Sequence, residues 1–397
     1  MFIRFATLFA AGLLAGCSSI PDPFGLFESD NQAPPTELTD FTPSLQVNTR
    51  WTVDAGEGSE EQYLRLVPTL YQDRLFVADS EGGVRAINAE NGGTIWQVET
   101  EAPVSGGPGV GDDLVLLGTR DAEIIALNEA DGTEAWRSRL SSEILSVPKA
   151  DGGIVVAHTI DGKLYGLNSS DGSGAWVYDR TVPILTLRGN SSPVIEGSDV
   201  LAGFANGKLV NLALSDGNPQ WETLVTAPRG RSELERIVDI DADPFIYDGT
   251  AYVCTYQGEV AAVSVDTGVV LWRRELSSHA GVSADWRALY VTDDQDRVWA
   301  LDPGNGAALW RQEKLLNRRL SAPAIVDDYI VVGDLEGYLH WLYYEDGSFA
   351  ARMELADAPI SAAPLVVNDV IYVYADDGSL SAVSALPPEG TEPDPDS

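Results

Sequence analysis

Residues 91–96 read NGGTIW, 131–136 DGTEAW, 171–176 DGSGAW and 216–221 DGNPQW. The phrase continues at 267–272, TGVVLW, and 305–310, NGAALW, and keeps its turn but not its tryptophan at 346–351, DGSFAA. In each copy a turn glycine is followed four residues later by Trp96, Trp136, Trp176, Trp221, Trp272 or Trp310, and in the last by Ala351. Self-similarity at a fixed period is the signature of a repeat architecture.

The spacing extends backward from these residues. Pro68, Pro108, Pro148, Pro193 and Pro244 each precede their tryptophan by 28 residues, and Pro323 precedes Ala351 by the same 28. Midway stand Gly82, Ala122, Gly162, Gly207, Gly258 and Gly337. The unit Val282–Asp296–Trp310 keeps the lengths without the Pro and Gly, and Pro364 with Gly378 begins an eighth copy that has no outer segment. Within each copy, short β-branched and aromatic runs such as 75–78, 84–88 and 95–98 are bounded by Gly, Asp and Asn, which reads as strands and tight turns. Four antiparallel strands in about 40 residues is the size of one β-propeller blade.

The chain is therefore predicted to be all-β, an eight-bladed propeller with four antiparallel strands per blade. The strand pattern at 47–53, carrying Trp51, is expected to complete the last blade and close the ring. A blade cannot bury both of its faces alone, so the seven tryptophans are predicted to wedge between neighbours as structural residues, each burying roughly 150–250 Å². Ala86, Ala126, Gly166, Ala261, Ala262, Ala300 and Ala382 are expected to allow close approach between blades.

The ends predict a division into four parts. Residues 1–16, with Arg4 and a short apolar run, read as an export signal. Leu14-Ala15-Gly16-Cys17 reads as a lipobox, with Cys17 the lipidation site. Residues 17–46, rich in Pro, Asp, Glu and Thr, read as a lipidated cysteine plus a flexible tether, reaching on the order of 30 Å as a coil. Residues 47–386 are the propeller and 387–397 an acidic disordered tail. Ser18 after the cysteine favours the outer membrane over the inner, and the body would face the periplasm. The chain has a formal charge of −36, which repels nucleic acid and anionic lipid headgroups. The membrane would thus be met through the lipid alone. With Cys17 lipidated, Cys254 is left single in a strand pattern and reads as a small buried hydrophobe.

Inside the units the lengths are fixed, so function is sought in the connectors. The step from tryptophan to the next proline is 12 residues after Trp96 and Trp136, but 17 after Trp176 and 23 after Trp221. The surplus lies at 177–192 and 222–243, which flank blade 4 and should be adjacent. The first holds Leu185 and Leu187 on one face, then Arg188; the second holds Arg229, Arg231 and the alternating Asp239, Asp241 and Asp243. An apolar anchor with a polar rim suits a protein-binding patch. Two other readings stay open: the leucines cap the propeller core while Arg188 pairs with an aspartate, or the Asp row holds Ca²⁺.

The lipobox, the acidic tether, the tryptophan-marked blades and Leu-Thr-Leu-Arg-Gly beside Asp-Ile-Asp together resemble the BamB family of lipoproteins of the outer-membrane β-barrel assembly (BAM) machinery. The resemblance covers essentially the whole mature chain, and its connector motifs are more specific than its blade motif. It implies a non-enzymatic subunit that binds the periplasmic POTRA domains of BamA and aids delivery of unfolded outer-membrane proteins. It also implies that Leu185, Leu187 and Arg188 contact BamA with Asp239 and Asp241 beside them, and that no cofactor or metal is needed. The competing class is a periplasmic dehydrogenase dependent on pyrroloquinoline quinone, built on the same ring. Cys17 and Cys254 cannot supply the adjacent cysteine pair many of those enzymes use, and His158, His279 and His340 fall in separate units. A further reading has unfolded clients adding as strands to the blade edges.

Overall fold

The hairpin at Asp131-Gly132 shows what the repeated phrase does. Asp131 accepts hydrogen bonds from the Thr133 hydroxyl at 2.7 Å and the Thr133 N–H at 3.0 Å, which hold its carboxyl below the usual range. Asp171 does the same with Ser173, so part of the chain's acidity serves its turns. The repeated glycines adopt φ between 68° and 75°, the left-handed conformation that ends such a turn.

In the computed structural model the described residues are 33–386, apart from 60, 61, 181, 182, 184, 188 and 233. Their strands form eight sheets. Blade 1 consists of Thr69–Tyr71, Arg74–Ala78, Gly83–Asn88 and Thr94–Glu99, in that order from the axis outward. The two middle strands are buried on both faces, whereas the outer strand alternates between exposed and half-buried residues. The other blades repeat this plan, and blade 2 adds a two-residue strand, Arg65–Leu66, parallel to its first strand. Blade 8 takes Leu365–Val367, Val370–Tyr374 and Ser379–Leu386 from the C-terminal end and Gln46–Asp54 from the N-terminal end, with Trp51 opposite Ala382. The ring is a closed, eight-bladed propeller.

Each outer-strand tryptophan reaches the next blade rather than its own turn. The indole N–H of Trp96 donates to Glu129 O at 3.0 Å, Trp136 to Ser169 O at 2.7 Å and Trp176 to Leu214 O at 2.8 Å. Trp221 reaches Val265 O at 2.7 Å, Trp272 reaches Pro303 O at 2.8 Å, Trp310 reaches Tyr344 O at 2.7 Å and Trp51 reaches Ala89 O at 3.2 Å. The acceptor always lies three residues before the turn glycine of that next blade, and the indole covers the glycine itself. A Cβ at Gly132 would stand 2.7 Å from the Trp96 ring, and one at Gly217 would stand 2.6 Å from Trp176. The glycine is thus required twice, for its φ and for the room it leaves. Ala86, Ala126, Gly166, Ala262, Ala300 and Ala382 lie opposite their own blade's tryptophan across the sheet, making space for it.

The missing tryptophan at Ala351 now has a physical reason. Its indole would latch onto the hairpin between the third and fourth strands of blade 8. No such hairpin exists there, because those two strands come from opposite ends of the chain. The pair is inverted instead: the fully buried Trp341 stands opposite Ala351 and fills the seam from the third strand.

The flexible tether predicted for 17–46 is corrected over its last part, since residues from Thr36 onward lie against blade 7. Ser44 and Leu45 donate N–H groups to Ala350 O at 3.0 and 3.2 Å. Phe41 stacks on Phe349 at 5.3 Å, with the Arg352 guanidinium over both rings. Arg318, 2% exposed, donates to Thr36 O at 3.0 Å and pairs with Asp334 at 2.8 Å and with Glu336. Leu38, Phe41 and Leu45 supply apolar surface that polar composition concealed. Cys17 and the tail 387–397 lie outside the described residues.

Candidate functional site

Two long connectors meet at blade 4, and backbone donors explain how. The stretch between the strands Gly174–Asp179 and Val194–Glu196 has no sheet partner of its own, so its N–H groups need acceptors. The other connector, between Pro219–Leu224 and Phe245–Tyr247, provides them. Asp239 Oδ2 accepts the Leu187 N–H at 2.6 Å, and Asp243 Oδ1 accepts the Ser192 N–H at 2.5 Å. Gly189 passes so close to Asp241 that a Cβ there would stand 3.3 Å from its Oδ1. The expected adjacency of the two connectors is present, and the three carboxylates do share one side.

That side faces the other connector, and of the three only Asp243, whose side chain is 42% exposed, also meets solvent. Asp239 is 1% exposed and Asp241 7%, so the predicted polar rim is a buried strut. Between the aspartates, Ile240 packs into the blade 4–5 core, where it closes over Gly203. Burial, reinforced by Asp241, pushes the Asp239 carboxyl up to about 7; the Leu187 N–H only partly offsets this. Burial also raises Asp241 to about 6, against the pull of Arg65 and His279. Asp239 Oδ1 is buried without a hydrogen-bond partner.

What remains outward is mixed, with Leu185 and Leu234 exposed beside the exposed Arg229, Arg231, Glu235 and Arg236. Leu185 is 39% exposed and Leu187 is half-buried, with Gly189 N–H bonded back to Leu187 O at 3.1 Å. Arg188 lies outside the described residues. The second connector adds an exposed tip in which Glu235 accepts the Arg231 N–H at 2.6 Å, and Leu234 stands 65% exposed. Leu234 went unnoticed in the sequence because a single leucine among Arg, Ser and Glu carries no period. Arg65 also escaped notice. It reaches both connectors from the short strand added to blade 2, at sequence separations of 125 and 176.

Of the groups considered for chemistry, Cys254, His158 and His340 are buried and engaged in structure, whereas His279 is exposed. Cys254 is buried, and burial pushes its thiol up to about 11. His158 is buried at 3.1 Å from Ser191 O and pushed down to about 4. In His340, Nε2 meets Asp334 at 2.8 Å and Nδ1 accepts from Arg352 at 3.2 Å. Among the described residues no cluster of three His, Cys, Asp or Glu side chains is arranged to hold a metal.

A family model described as outer membrane protein assembly factor BamB matches residues 48–103, 80–312 and 300–387. The chain belongs to the BamB family. A BamB relative from Alkalilimnicola ehrlichii is 48% identical over 347 residues, covering 87% of this chain and 91% of the relative. The solved structure of BamB from Moraxella catarrhalis superimposes with a TM-score of 0.78 at 27% identity, covering 85% of this chain and 100% of that one. Quinohemoprotein alcohol dehydrogenase from Comamonas testosteroni has a TM-score of 0.65 at 12% identity, covering 85% of this chain and 76% of that one, a likeness of fold alone. As a BamB-family member the chain is an assembly factor and not an enzyme.

Proposed function

We propose that this BamB-family chain is an outer-membrane lipoprotein, anchored through Cys17 and facing the periplasm. In this reading it is a subunit of the BAM complex and docks on the POTRA domains of BamA through its paired connectors. A tether of residues 17–34 would then lead from the lipid to the strap, the segment from Thr36 to Leu45 that lies against blade 7. The observation that carries the docking site is Leu185. A leucine 39% exposed is held on a connector whose neighbour, Leu187, is fixed by a buried carboxylate. Interfaces gain affinity from apolar anchors that are already ordered before binding, because little side-chain and loop entropy is then lost. Leu185, Leu187 and Arg188 are assigned to contact, with Asp239 and Asp241 as supports behind them. In a double variant, Leu187→Ala with Arg188→Ala, BamA is expected to be lost from the co-purified complex while the unfolding midpoint stays within a few degrees. Full retention of BamA would place the interface elsewhere.

A second surface suits unfolded clients. Leu271 and Leu309 are each more than half exposed on the outer strands of blades 5 and 6, and so is Val269 immediately before the first of them. Those strands have free outer edges, to which an extended chain can add. Crosslinks from clients to these strands, undiminished by changes at 185–188, are the expected result; crosslinks confined to the connectors would exclude this surface.

A further inference from the structure

We propose that Arg65 is the positioning residue that clamps the two connectors into one docking surface, an inference that rests on the docking role given above. Arg65 belongs to the short strand Arg65–Leu66, paired with Gly106 and Gly107 of blade 2. From this fixed base its Nη1 donates to Asn190 O at 2.7 Å and to Asp241 O at 2.9 Å, and lies 2.9 Å from Asp243 Oδ1. Asn190 belongs to the connector that carries Leu185 and Leu187; Asp241 and Asp243 belong to the other. One guanidinium therefore touches both.

The clamp has a second jaw. The Asp243 carboxylate that meets Arg65 also accepts the Ser192 N–H at 2.5 Å. The Asn190 side chain donates to Thr159 O at 2.8 Å, tying the same stretch to blade 3. Without Arg65, the Asn190 and Asp241 carbonyls lose a charged donor and Asp243 loses its salt bridge, keeping the nearby Lys149 as a cation. Asp239, Asp241 and Asp243 are then left as three neighbouring carboxyls with less to hold them together. Like charges at close range repel, and a connector without sheet partners is free to yield. The leucine segment would lose its fixed orientation without losing any residue that touches BamA. Arginine suits this place because a planar guanidinium presents several donors from one rigid group.

The test compares the whole wild-type chain with Arg65→Ala, Asp243→Asn and Leu187→Ala. It reads affinity for the BamA periplasmic domains and amide hydrogen exchange. For Arg65→Ala, the Leu187 and Ser192 amides should exchange at least ten-fold faster and BamA should bind at least ten-fold more weakly. Blade amides such as those of Val156 and Val210 should keep their protection. Asp243→Asn keeps the side chain's shape and should move both readouts the same way by less; it carries the test should Arg65→Ala not fold. Unchanged exchange at Leu187 and Ser192 overturns the clamp. So does undiminished affinity in Arg65→Ala when Leu187→Ala has lost it. If Leu187→Ala also binds fully, the docking reading itself has failed, and the exchange data alone decide whether Arg65 clamps the connectors.

Discussion

The repeat breaks twice, at the seam between blades 7 and 8 and around blade 4, and the two breaks are finished differently. At the first, the strap from Thr36 to Leu45 and the inverted pair Trp341–Ala351 seal the gap. Arg318, Asp334 and His340 are buried beneath, none more than 2% exposed. At the second, Arg65 and three aspartates also form a polar network under non-repetitive chain, but Leu185 and Leu234 are left outside. Both devices hold irregular backbone by giving its donors and acceptors charged partners. The sealed break serves closure of the ring. In the docking role proposed above, the open one is the side that meets the partner, with its support inside and Leu185 and Leu234 outside among charged residues.

Changes at the sealed break should therefore cost stability and spare docking. The largest effect is expected for Arg318→Ala. Removing one member of a buried ion pair leaves Asp334 without its arginine, with His340 and backbone N–H groups still bonded to it, at a cost of about 3–5 kcal/mol, to be read from urea unfolding. BamA co-purification should persist at temperatures where the variant is folded. A loss of BamA by the folded variant would erase the distinction between the two breaks.

A smaller effect, about 1–3 kcal/mol of destabilisation from overpacking, is expected for Ala351→Trp. Restoring the repeat's tryptophan should harm the ring, because Trp341 already fills the space opposite and no hairpin waits in blade 8. Stabilisation in the same urea assay would mean that the inversion is incidental.

The smallest effect concerns the open break and depends on pH. Asp239 and Asp241 are pushed up to about 7 and about 6, above the value near 3.9 of an unfolded chain. Between about pH 4 and pH 7 the folded chain then holds more protons at these groups than the unfolded one. Their contribution is full below about pH 4 and is lost as pH rises through 6 to 7. Wild type should thus lose more stability than Asp239→Asn between pH 5 and pH 8, measured by urea unfolding. Equal losses would show that the strut carries no such proton.

Much of this was legible in the sequence. Turn glycine and tryptophan at constant spacing specify blade, count and closure, because the same local chemistry must recur wherever the same sheet recurs. The enlarged connectors were legible as departures from that spacing. The tryptophan's true target, the next blade's glycine, was not, since spacing within a copy is silent on contacts between copies. Alternation placed Asp239 and Asp241 on one side but could not say that this side faces Leu187. The strap was hidden because Leu38, Phe41 and Leu45 are scattered among Pro, Thr and Asp, and Arg65 because its acceptors lie across the ring.

The central claim is that the surface around blade 4 meets BamA. A photo-reactive residue placed at position 185, and separately at position 41 on the strap, tests it in the assembled complex. A BamA adduct from position 185 and none from position 41 is the predicted result. An intact complex that gives no adduct from 185, or adducts equally from both, would contradict it.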